Sequence, residues 1–187
     1  MGLTSMASFS DAHETKDIPL IAANLHRLIL PRQSQIWAVL HAGDSMKRLV
    51  YLLTGGLLGR LCISGEIPSL NAEQWALVKE AIQFYQQIVP VIARGRSRLF
   101  QNINSSWQHL QGAQAVLRVA EDEQSAFVVT HSFGSPLPTE IRILLPSNGW
   151  QVEECFPYSM PVPVIMGSQL RYVPLKEWQG AGIYLTR

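Results

Sequence analysis

"SFSDAHETKDIPLIAANLHRLILPRQSQIWAVL", residues 8–40, decides the fold, because a helical period and a strand pattern meet inside it. From Asp17 to Leu30 apolar residues recur at helical steps, and Ile18, Ile21, Leu25 and Leu28 fall on one face. Asp17 stands where an N-cap belongs, Pro19 is tolerated in a first turn, and Pro31 marks the stop. "QIWAVL", residues 35–40, is short and almost continuously apolar, the pattern of a strand buried on both faces. A helix feeding such a strand is half of a βαβ unit.

The alternation continues downstream. Asp44 and Ser45 open a second helix, roughly Ser45 to Leu53, which fades at Gly55-Gly56. "RLCIS", residues 60–64, reads as another buried strand. Asn71, with Gln74 three positions on, forms a capping box before the longest helix. There Trp75, Val78, Ile82, Tyr85, Val89 and Ile92 make an apolar stripe opposite Lys79, Glu80, Gln83, Gln86 and Gln87. With "LTSMASFS" as a strand end, residues 1–95 predict β-α-β-α-β-α, a parallel sheet with crossover helices.

After Arg94-Gly95 the period changes. "GRSRLFQNINSSWQHLQG" is polar and predicts a connection, so residues 96–110 are expected as a linker. From 111 to 187 come short β-rich runs between turn residues, among them "AQAVLRVA", "SAFVVTHSF" and "GAGIYLTR". Six to eight such runs predict an antiparallel β-sandwich, with Trp150, Phe156, Tyr158 and Tyr172 suited to its inner core.

Bulk properties exclude several classes. A net charge of +1 over 187 residues leaves no footprint for nucleic acid or an anionic membrane. "LVYLLTGGLLGRLCI", residues 49–63, is too short to span a bilayer and Arg60 interrupts it. Cys62 and Cys155 follow no metal-ligand spacing; two reduced, buried thiols suit a cytoplasmic protein. The first residues lack a signal peptide's charged and apolar regions. Gly55-Gly56 lacks the Lys-Ser/Thr of a phosphate loop, and no cofactor or metal is expected.

Over residues 8–40 and again at "GGLLGRLCISGEIPSLNAEQWALVKEAIQFYQQI", residues 55–88, the chain resembles the α-galactosidases of glycoside hydrolase family 36. The Ser-x-Ser-Asp run, the IAAN helix, Pro-x-Gln-x-x-x-Trp, Ser-Gly-Glu and Glu-Gln-Trp carry the likeness by their order and spacing. The resemblance implies that residues 1–95 are the last part of a (β/α)8 barrel, about strands six to eight. Residues 111–187 would be the small sandwich that follows it. A whole barrel takes about 250 residues, so three βα units are a portion only.

By the same resemblance, Asp11 is the general acid/base of a retaining mechanism, with α-galactoside oligosaccharides as substrates. The attacking aspartate of that family lies upstream of this residue, and the chain begins a few positions before Asp11. The polypeptide alone is therefore expected to be inactive. From its residues alone, Asp11 fits a turn or helix-capping role as well. Trp37 fits a sugar-stacking plane or barrel filler. Ser64, Gly65 and Glu66, at the end of the last barrel strand, are expected to face the same site; Glu66 fits a hydroxyl-binding or a turn role.

Two consequences follow for partners. Strands near Ala7 and Ser64 would each lack a neighbour, so the missing N-terminal half of the barrel or a second copy is expected against them. A non-catalytic carbohydrate-binding or structural β-sandwich on a βα scaffold is the alternative reading.

Overall fold

The computed structural model describes residues 5–9, 15–106 and 108–187. Its first part alternates β1 (Ala7–Phe9), α1 (Ile18–Leu25), β2 (Ser34–Leu40), α2 (Met46–Gly56), β3 (Arg60–Gly65) and α3 (Ala72–Arg94). The three strands form a parallel sheet in the order β1-β2-β3, with Trp37 level with Cys62 and Val39 level with Ser64. The predicted βα alternation is present, and β1 and β3 are both edge strands.

Local chemistry sets the helix starts. The Ser45 side chain accepts the Arg48 backbone N–H and opens α2, which runs through the glycine pair to Gly56. Asn71 and Gln74 form the reciprocal capping box at α3, each side chain accepting the other's backbone N–H at 2.9 Å. At the far end of α3, Arg32 donates to the Ala93 carbonyl at 3.0 Å, a cation on a helix C-terminus.

Three expectations about faces are corrected. In α1 the buried residues are Ile18, Pro19, Ala22 and Ala23, while Leu28 lies past the helix and is 76% exposed. Small Ala22 and Ala23 let the helix lie close, so a wider Ile/Leu stripe is not what packs. In α3 the expected Val78 and Ile92 are buried and Trp75 and Tyr85 pack half-buried against the core, but Leu77, Ala81, Phe84, Ile88 and Val91 are buried as well, while Ile82 and Val89 are exposed. The buried face is wider than the expected stripe and centred nearer Phe84, which packs on Phe156 of the following sheet. Strands β2 and β3 are not buried on both faces. In β2, Ser34, Ile36, Ala38 and Leu40 are buried, whereas Gln35, Trp37 and Val39 are half-buried. Helices cover one face of the sheet, and among the described residues nothing covers the other to the same depth.

The second part is two antiparallel sheets. Five strands order as β4-β5-β6-β11-β8: β4 (Arg96–Ile103), β5 (Gly112–Val119), β6 (Ser125–Ser132), β11 (Gly180–Thr186) and β8 (Gln151–Phe156). Three more order as β7-β10-β9: β7 (Ile141–Leu144), β10 (Gln169–Tyr172) and β9 (Val164–Met166). The sandwich expected from the β-rich runs is thus present with eight strands. Arg96–Ile103, read as part of a polar connection, is instead β4, an edge strand paired along its whole length with β5. Its polar residues point to solvent, which is why it lacked a strand's apolar signature.

The five-stranded sheet is buried on both sides. Val116, Phe127, Val129 and Phe156 join the core of α2, α3 and β2, while Ala115, Leu117, Val128 and Ile183 join the core shared with the small sheet. Glycines in β11 make the first contact possible. A Cβ on Gly182 would sit 2.7 Å from the Phe84 ring, and one on Gly180 2.7 Å from Thr54. Trp150 and Tyr172 are buried in the sandwich's inner core as expected, but Phe156 is buried on the opposite face, against the helices, and Tyr158 is 54% exposed, its backbone N–H bound to the Glu80 carboxylate.

Polar ties cross the same junction. Gln114 donates to the Pro19 carbonyl at 2.9 Å, and fully buried Arg118 donates to Ser97 Oγ and the Leu58 carbonyl. The Arg118 guanidinium also lies 3.2 Å from His26 Nδ1 and over the Phe127 ring. Burial lowers Arg118 to about 9 and His26 to about 3, the guanidinium adding to the second shift.

Candidate functional site

The uncovered face of the parallel sheet and the ends of its strands form the candidate site. Directly paired residues of neighbouring strands share a face, so Ser8, Gln35 and Arg60 form one row. Trp37 with Cys62, then Val39 with Ser64, form the next two rows toward the strand ends. Trp37 donates its indole N–H to Ser8 Oγ at 2.7 Å, and Arg60 reaches Met6 Sδ at 3.7 Å. The hydrogen bond fixes the indole across β1 and leaves it half-buried. Cys62 is half-buried on this face, not buried as expected; Cys155 is buried, its thiol pushed up to about 11 by burial. Both thiols are free.

At the strand ends the backbone is drawn tight. Glu66 N–H donates to the Leu40 carbonyl at 2.8 Å, closing β3 onto β2. Gly65 has φ +101°, and a Cβ there would lie 2.1 Å from that carbonyl oxygen, so the position needs glycine. The closure turns Glu66 toward the β2–α2 connection. Its Oε2 accepts the Ala42 backbone N–H at 3.2 Å and lies 3.6 Å from His41 Nδ1, with both side chains about half exposed.

A second set of contacts holds that connection still. Asp44 accepts the His41 backbone N–H at 2.9 Å and pairs with Arg48 at 2.9 Å. Arg48 in turn donates to Thr15 Oγ1 at 2.9 Å. Gln74, besides its capping role, donates to the carbonyls of Ala42 and Asp44 at 3.0 and 3.1 Å. One buried amide thus fastens the start of α3 to the loop carrying His41.

Of the residues singled out from sequence, Trp37 and Ser64 are diagonal neighbours on the uncovered face. Gly65 shapes the turn, and Glu66 bends across to the neighbouring loop. Asp11 lies outside the described residues. Sequence reading missed His41, Asp44, Arg48 and the second role of Gln74. Only Gln74 carried a signal, because its capping-box position placed it at the strand-end side of α3. Chemically the arrangement offers one indole plane, a hydroxyl, and a carboxylate beside an imidazole. Among the described residues no group of three metal-ligating side chains occurs, and no helix is long and apolar enough to cross a membrane.

No family model matches the chain, and no curated protein matches it by sequence. Solved structures do match. An α-galactosidase of glycoside hydrolase family 36 from Geobacillus stearothermophilus superposes with a TM-score of 0.69 at 15% identity. An α-galactosidase from Lactobacillus brevis superposes at 0.68 with 13% identity. A variant of the Geobacillus enzyme solved with raffinose superposes at 0.66 with 16% identity. Each match covers 95% of this chain and 25% of the enzyme, on its C-terminal region. The likeness read from the sequence therefore holds for the fold. The chain spans about a quarter of the length of the enzymes it resembles.

Proposed function

We propose that this chain is the C-terminal part of a retaining α-galactosidase-type glycoside hydrolase. In this reading the parallel sheet supplies about strands six to eight of a (β/α)8 barrel, the sandwich is the domain that follows it, and Asp11 is the general acid/base. The boundaries are 1–95 for the barrel portion, 96–110 for the connection and 111–187 for the sandwich, with the connection contributing β4 to the sandwich sheet. The observation that carries the proposal is the bare face of β1-β2-β3. Its helices pack on one side only, as the strands of a barrel require, and its strand ends are braced.

Retaining hydrolysis needs two carboxyl groups about 5–5.5 Å apart, one attacking the anomeric carbon and one protonating the leaving oxygen. Asp11 would be the second, at a strand end on the face where such barrels build their sites. The attacking carboxylate comes from residues other than these 187. Glu66 is held by the Ala42 N–H and faces His41, a geometry that suits binding a sugar hydroxyl better than attack. Trp37 offers a plane, and Ser64 a hydroxyl, beside it. The other strands of the barrel, or a second copy, would cover the edges of β1 and β3, and α-galactoside oligosaccharides would be the substrates.

The test has two arms. DNA upstream of the Met1 codon is read for strands carrying the attacking carboxylate, and the protein that includes them is assayed with and without Asp11→Asn. The substitution is expected to slow raffinose cleavage by at least about a hundredfold, and aryl α-galactosides with good leaving groups much less, since those need little protonation. Equal effects on both substrates, or none, would remove Asp11 from the role.

A further inference from the structure

The turn between β7 and β8 carries a reactive pair of residues. It crosses from the small sheet to the five-stranded one, and Leu145 and Trp150, each 4% exposed, anchor it at both ends. Between these anchors Asn148 and Gly149 are exposed. Gly149 has φ +93°, a conformation glycine adopts without strain, so the turn keeps a residue without a Cβ directly after an asparagine.

A backbone nitrogen can attack the side-chain carbonyl carbon of the residue before it and close a five-membered ring. The attack is fast where nothing shields the nitrogen and nothing holds the amide away from it. Among the described residues, neither the Asn148 amide nor the Gly149 N–H has a hydrogen-bond partner. The space is open as well. The atoms nearest to a Cβ built on Gly149 are Arg187 Cγ at 3.9 Å and Nε at 4.0 Å.

The other four asparagines lack this combination, and each is followed by a residue that bears a Cβ. Asn24 lies in α1 with its amide on the Leu20 carbonyl at 2.9 Å. Asn71 caps α3, and Asn102 is paired with Ala113 inside β4. Asn104, followed by small Ser105, is the nearest competitor. Its side chain is held, donating to the His109 carbonyl at 2.8 Å and accepting the Gln111 N–H at 2.9 Å.

We propose that Asn148 is a self-modifying site, which loses ammonia in the folded protein without an enzyme. The Gly149 nitrogen gives its proton to a solvent base and bonds to Asn148 Cγ. The Cγ–Nδ2 bond then breaks, and the departing nitrogen takes up a proton and leaves as ammonia. Water opens the resulting succinimide at either carbonyl carbon. One opening leaves aspartate; the other leaves isoaspartate, in which the chain runs on through the former side chain. Both products add a negative charge near Arg187, and isoaspartate lengthens the turn by one backbone atom. The site is independent of the sugar-cleaving reading and of Asp11.

The native protein is held for days in mildly alkaline buffer, well below its unfolding temperature, and mapped by peptide mass. The peptide containing Ser147–Trp150 is expected to gain one mass unit, with an equal amount of ammonia released. Isoaspartate in it is detected by labelling with an isoaspartyl carboxyl methyltransferase. The rate should rise with pH, since the attacking nitrogen must lose its proton. Asn148→Gln, at an exposed position, should slow the conversion by at least about tenfold, because its ring would need six members. An unchanged mass at this peptide, equal conversion at Asn104, undiminished conversion in Asn148→Gln, or reaction only after denaturant unfolds the chain would each overturn the proposal.

Discussion

The two sheets that flank α2 and α3 are treated oppositely. The five-stranded sheet has apolar layers on both faces, and β5 is buried at every residue. The parallel sheet has such a layer on one face only, and β3 keeps all its residues partly or fully exposed. The first arrangement is what stability asks of a sheet. The second spends three strands on a surface that holds an indole, a thiol and a hydroxyl half in solvent. Stability is therefore concentrated at the junction of helices and sandwich, and the uncovered face is where function is to be sought.

Removing a side chain from the junction gives the largest effect. Phe84→Ala empties the contact between α3, Gly182 and Phe156 and should cost about 3–5 kcal/mol in urea unfolding. Trp37→Ala, an equally drastic truncation on the uncovered face, should cost well under half as much. Equal costs would erase the distinction between the two sheets.

Adding a methyl group sharpens the same point from the other side. Gly182→Ala pushes a Cβ into the Phe84 ring, and about 1–3 kcal/mol is expected. Gly65→Ala, at a positive φ against the Leu40 carbonyl, should cost a comparable amount, and should also free Glu66 from its bond to Ala42. Amide exchange at Ala42 reports that second effect separately from the loss of stability.

Acid should loosen the junction before the sandwich core. Burial holds His26 and His131 neutral, each with its pKa pushed down to about 3, against about 6.5 in the unfolded chain. Between those values the unfolded chain binds more protons than the folded one, so stability is complete above pH 6.5 and falls as pH drops toward 3. Each histidine contributes at most about 1.4 kcal/mol per pH unit. His131→Phe keeps the edge-on contact with Tyr51 and should flatten the slope by roughly half. An unchanged slope would show that His131 does not resist protonation.

How far the sequence predicted this structure depends on how local each cause is. Capping at Ser45 and at Asn71-Gln74 is decided within four residues and was readable directly. So was the change of period near Gly95. The buried face of α3 was readable only in part, because Ile82 and Val89 are as apolar as Leu77, Phe84 and Ile88. Gly182, about a hundred residues away, decides which line docks. Arg96–Ile103 escaped notice because a solvent-facing edge strand has no apolar alternation. The burial of Arg118 within "AQAVLRVA" carried no local signal, since its partners His26, Leu58 and Ser97 come from three distant elements. The pairing of His41 with Glu66 depends on the β2–β3 register and left no trace in spacing.

The smallest expected effect in solution is a difference in amide exchange: β1 and β3, each paired on one side only, should exchange faster than β5 and β6. The most direct test is catalytic. A monodisperse preparation of these 187 residues is incubated with 4-nitrophenyl α-galactoside and release of nitrophenol is followed. On the proposed reading no turnover above the uncatalysed rate is expected, because a general acid/base without an attacking carboxylate cannot form the glycosyl–enzyme bond. Enzyme-like turnover by this polypeptide would contradict the account, since both carboxylates would then have to lie within it.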